Sequence, residues 1–81
     1  MQLSKYQPLK LFLSNQLSDD ITLEYGELED ILGVQLPPAA HKHAAWWSND
    51  PLHVQAVAWL EAGWRMHKSS RRHQWVRFIR D

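Results

Sequence analysis

At 81 residues the chain is too short for two hydrophobic cores, so one domain spanning residues 1–81 is expected. It is 44% hydrophobic with five tryptophans, which argues against a disordered chain, and it has no cysteine, which excludes a disulfide framework, a thiolate zinc site and a cysteine nucleophile. No apolar run is long enough to cross a bilayer, and Met1-Gln-Leu-Ser-Lys-Tyr6 lacks the apolar core of a signal peptide, so a cytoplasmic location without membrane contact is expected.

The first predicted element is a helix opened by Pro8, with Leu9, Phe12, Leu13 and Leu17 on one side at i, i+3, i+4 and i+8. Ser18-Asp-Asp20 ends it. Ile21-Thr-Leu-Glu-Tyr25 alternates apolar and polar residues, the pattern of a short strand. A second helix is predicted from Gly26 to Leu32, with Tyr25, Leu28, Ile31 and Leu32 turned inward, Glu27 at the positive end of its dipole and Gly33 as its stop. Val34-Gln-Leu-Pro-Pro38 reads as a turn, because each proline restrains the residue before it from helix. Ala39 to Trp47 suits a helical turn or two.

The third helix is the tryptophan-rich centre of the chain. Ser48, Asn49 and Asp50 offer capping oxygens and Pro51 fits the first helical position, so a helix over Pro51–Ala62 is predicted, stopped by Gly63. Leu52, Ala56, Trp59 and Leu60 share its apolar stripe, and Trp59 is the expected anchor. Trp64–Lys68 and Gln74–Arg80 read as two strands of a hairpin with Ser69–His73 as its tip. Val76 and Phe78 lie on one face of the second strand, and Trp75, Arg77 and Ile79 on the other.

Three helices, a short strand and a C-terminal β-hairpin in this order define an α+β domain similar to a winged helix-turn-helix. The Gly33–Pro51 connection is much longer than the tight turn of that fold. The residues Leu36-Pro-Pro-Ala-Ala40, Trp46-Trp-Ser-Asn-Asp50, Gln55-Ala56, Ala58-Trp-Leu-Glu-Ala-Gly-Trp64 and Val76-Arg-Phe78 resemble a family of small uncharacterised bacterial domains, over Tyr6 to Arg80. The resemblance implies a compact independent domain of bacterial or phage origin. It implies no catalytic residues.

The net charge of zero conceals an asymmetry. Residues 1–40 hold Lys5 and Lys10 against Asp19, Asp20, Glu24, Glu27, Glu29 and Asp30. Residues 41–81 hold Lys42, Arg65, Lys68, Arg71, Arg72, Arg77 and Arg80 against Asp50, Glu61 and Asp81. Solvated surface at both ends explains this, and so does a basic face built for a polyanion. The leading expectation is a non-enzymatic nucleic-acid-binding domain, with DNA favoured. Arg65, Lys68, Arg71, Arg72 and Arg77 of the hairpin would contact phosphates as a wing. Ser48, Asn49, His53 and Gln55, around the start of the central helix, would supply hydrogen bonds to bases. Against this, the central helix contains no Lys or Arg. The alternative is a protein-interaction module, an adaptor or phage-type inhibitor, whose exposed contacts would be Trp47 or Trp75 with arginines around them. A homodimer is compatible with both.

Trp46-Trp47 admits a base-stacking reading, but adjacent rings point in different directions, and an 81-residue domain needs core. His41-Lys-His43 resembles a metal pair, yet no third ligand stands at a recognisable spacing, so neither metal nor cofactor is expected. Its histidines would raise DNA affinity as pH falls toward about 6. The acidic pairs Asp19-Asp20 and Glu29-Asp30 read as solvated surface, and no catalytic residues are assigned.

Overall fold

A computed structural model describes residues 4–81; residues 1–3 of the expected domain, and the part of the signal-peptide reading that rests on them, lie outside the described residues. Helix α1 (Gln7–Ser14) takes Pro8 in its first turn and buries Leu9 and Leu13. Leu17, expected on the same side, is fully exposed, because the helix has ended three residues earlier and the i+8 position no longer faces the core. Strand β1 (Asp20–Glu24) runs directly into α2 (Tyr25–Leu32). Glu27 Oε1 accepts from the Glu24 N–H at 2.9 Å in a capping box, which allows the strand to become helix without a loop. Gly33 ends α2 at φ 75°, the left-handed region expected of the stop residue.

The long connection is folded, so the described residues form four α-helices where sequence reading expected three. Helix α3 (Pro38–Lys42) and a 3-10 turn (Ala44–Trp47) occupy it. Helix α4 (Val54–Glu61) begins later than predicted. Asp50 Oδ1 accepts from the Leu52 N–H at 2.9 Å and the Asp50 carbonyl from the His53 N–H at 3.0 Å, so the expected capping oxygen builds a separate turn before the helix. His53 takes the N-cap position, and Leu52, expected on the buried stripe, is 89% exposed. Gly63, φ 87°, follows α4 as predicted.

Strands β2 (Trp64–Ser70) and β3 (Trp75–Arg80) form the hairpin, with Arg71–Gln74 as its tip in place of Ser69–His73. The antiparallel sheet has the order β1-β3-β2, so the last strand is its centre. A register shift between Met66 and Lys68 places the bulge at His67. On the inner face Leu23, Val76, Phe78 and Trp64 are buried beneath the helices. Aromatic rings continue that core: Tyr25 stacks on Trp47 at 5.1 Å, Trp47 on Trp59 at 6.3 Å, and Trp59 meets Phe78 at 5.3 Å. This column ties α2, the 3-10 turn, α4 and β3 into one core.

Candidate nucleic-acid interface

The hairpin cations divide into two groups. Arg77 stands directly across from Thr22 on β1, close enough to fork onto the Asp20 carboxylate, with Nε 2.9 Å from Oδ1 and Nη2 also bonded. Arg80 reaches Asp19 Oδ1 at 3.1 Å, the carbonyls of Gln16 and Ser18, and the face of Trp64 at 4.6 Å. Arg65 pairs with Asp81 at 2.8 Å. The basic back half therefore partly neutralises the acidic front half at the base of the sheet. The hydrogen bond from Arg77 holds the Asp20 carboxyl below the usual carboxylate range, and Asp20 in turn raises the Arg77 guanidinium.

Lys68, Arg71 and Arg72 have no carboxylate partner among the described residues, and neither has Lys42 on α3. Arg71 Nη1 donates to the Lys42 carbonyl at 2.9 Å, which draws the hairpin tip against α3 and orients the guanidinium. His41, Ala44, Ser69, Ser70, Arg71 and Arg72 line the open cleft of about 570 Å³ between the two. His41 packs edge-on against the Tyr25 ring at 5.2 Å. Burial pushes the Tyr25 phenol above its ordinary range, offset in part by the Trp47 indole and the Arg71 charge. Among the described residues no three metal-ligating side chains converge.

The residues expected around the central helix are placed differently. Gln55 is buried and its Nε2 donates to the Trp46 carbonyl at 2.9 Å. Asn49 is a brace: Oδ1 accepts from the Met66 N–H at 2.8 Å and the Trp59 indole at 2.9 Å, while Nδ2 donates to the Met66 carbonyl at 2.9 Å. Ser48 and His53 stand 3.4 Å apart and half-buried, away from the tip cleft. Gln55 in the core and Asn49 at the surface both commit their amides to bonds within the chain, so neither offers a base edge a free donor and acceptor pair. Trp47, a candidate exposed contact, is only 1% exposed and donates to the Ala40 carbonyl at 2.9 Å; its position between Tyr25 and Trp59 requires this. Trp75 lies on the open sheet face, half-buried.

The structure thus sets Arg71 and Arg72 on the tip cleft and Lys68 with Arg77 and Trp75 on the outer sheet face, while Arg65, Ser48, Asn49, His53 and Gln55 line neither. Sequence reading missed His41, Ala44, Ser69 and Ser70 as members of the site. Nothing local in the sequence shows that α3 folds back over the hairpin, where the Lys42 carbonyl meets Arg71.

Residues 6–80 match the family described as a domain of unknown function, DUF7662. The chain belongs to that family. The DUF7662 match runs from the first turn before α1 to the last residue of β3, so the tip, α3 and the aromatic column all lie within it. No curated protein and no solved structure is similar enough to the DUF7662 chain to be counted a match.

Proposed function

We propose that this domain binds nucleic acid, DNA in the first instance, through the end formed by the hairpin tip and α3. The observation that carries the reading is the division of the cations. Those at the base of the sheet are consumed by carboxylates, whereas Arg71 and Arg72 line one cleft beside α3, Lys68 lies on the outer sheet face beside Trp75, and neither these three nor Lys42 has a carboxylate partner among the described residues. Such a cluster suits backbone phosphates, which give affinity and position without sequence. The element order and the β1-β3-β2 sheet support a winged-helix reading in which α3 and the 3-10 turn are an insertion. In that reading α4 would be the recognition helix, yet its exposed residues are Val54 and Glu61. The wing therefore makes the contact, and α4 serves as core.

Titrating random duplex and single-stranded DNA at low and physiological salt tests this. Replacing both Arg71 and Arg72 with alanine should flatten the log–log salt slope by roughly 1.4–1.8, two phosphate contacts' worth. Absence of binding at low salt, or an unaffected variant, would transfer the function to the second reading.

That second reading, a protein-interaction module, is favoured by one feature. Leu11, Val34, Leu52 and Val54 are exposed on either side of the start of α1 and line two apolar hollows of about 480 and 300 Å³. Binding there would change little with salt.

A further inference from the structure

We propose that the strand held at the tip is unpaired, with one base stacked on the Trp75 indole. This rests on the nucleic-acid reading and narrows its ligand. The other four tryptophans are committed to the fold. Trp47, Trp59 and Trp64 are fully buried, and Trp46 packs edge-on between Tyr6 at 6.0 Å and Trp47 at 4.6 Å. Trp75 takes part in none of the ring pairs among the described residues, and it lies in a hollow of about 380 Å³ with Thr22, Glu24, Lys68 and Arg77.

Its setting is that of a stacking platform. β3 is hydrogen-bonded on both sides, so the ring is carried on a strand that cannot swing away. Glu24 and Ser70 are its cross-strand neighbours, and Arg71 and Arg72 follow Ser70 immediately into the tip. A phosphate in the cleft and a base on the outer sheet face can thus belong to one strand passing over the turn. Lys68, across from Arg77 on the same face, adds positive charge beside the ring. A duplex hides its base faces in the helical stack, so only an unpaired or extruded base can meet an indole in this way.

The test uses the full chain, an oligothymidylate of about 15 nucleotides and a duplex of the same length, read by tryptophan fluorescence and anisotropy at low salt. The single strand is expected to bind more tightly and to quench emission. Trp75→Ala should lower its affinity roughly 5- to 150-fold and remove the quench, leaving duplex affinity and the salt slope unchanged. Trp75→Phe should retain part of the effect, which separates stacking from damage to the sheet. If duplex and single strand bind equally and Trp75→Ala loses nothing, the stacking proposal is overturned while phosphate binding stands. If neither is bound, the nucleic-acid reading falls and takes this inference with it.

Discussion

Replacing Asn49 separates a structural role from a recognition role. In the wild type one side-chain amide makes three hydrogen bonds, two to the Met66 backbone and one to the Trp59 indole. Met66 belongs to β2, an edge strand, so the amide stands in for a neighbouring strand while tying the loop before α4 to the sheet. Asn49→Asp keeps the shape and both accepted bonds but sets a carboxylate oxygen against the Met66 carbonyl. Losing one bond, at about 1 kcal/mol, and leaving that carbonyl opposed, at about 1–2 kcal/mol, gives a destabilisation of roughly 2–3 kcal/mol. Asn49→Ala removes all three bonds and leaves the indole N–H of a fully buried tryptophan without an acceptor, for roughly 2–5 kcal/mol. A domain of this size has about 4–12 kcal/mol in all. The aspartate variant should therefore melt roughly 10–20 °C lower. Urea denaturation measures the change directly, with a lower midpoint at an unchanged slope. If both variants stay within about 0.5 kcal/mol of wild type, the brace contributes nothing. If they also lose DNA affinity, Asn49 is a base contact after all.

Trp47→Phe keeps an aromatic ring between Tyr25 and Trp59 but deletes both the bond to the Ala40 carbonyl, which the Tyr25 hydroxyl still reaches at 3.4 Å, and part of the buried indole's volume. A loss of about 2–4 kcal/mol by chemical denaturation is expected, hydrogen bond and cavity together, with DNA binding of the folded variant untouched; a large loss of binding would return this ring to the interface. Acid should weaken the Asp20–Arg77 pair. The folded-state pKa of Asp20 lies below the unfolded value of 3.8, so its stabilisation is present above about pH 4 and disappears as pH falls through the lower folded value. Melting curves from pH 7 to pH 2 should accordingly fall less steeply below pH 4 in Arg77→Met than in wild type, and parallel curves would show that the pair has no pH-dependent weight.

Features decided within a few residues were legible in the sequence. Gly33 and Gly63 terminate helices because only a residue tolerant of positive φ ends a helix in that way, and Val76 and Phe78 share the inner face because strand alternation admits nothing else. Features decided by distant partners were not. Ser48-Asn-Asp50 has the composition of a helix cap, but Asn49 is captured by a strand 17 residues away and Asp50 by its own turn. Leu17 and Leu52 fall on an apolar stripe only if the helical period runs past the point where the helix stops or before it starts. The charge asymmetry was plain. Which arginines remain available depends on the register that sets Arg77 beside Asp20, 57 residues earlier. Adjacent tryptophans were expected to diverge, but only the Tyr25–Trp47–Trp59 stack decides that Trp47 is the interior one.

The central position of β3 has a consequence for synthesis. A nascent chain whose Trp75–Arg80 segment is still inside the ribosome has β1 and β2 but nothing to join them, and its aromatic column lacks Phe78. Four helices with too little to cover them then wait for the final strand to emerge. Folding of this domain is accordingly a late, all-at-once event. A stall or truncation ahead of Trp75 would release a chain with its tryptophans uncovered, a natural substrate for chaperones and proteases.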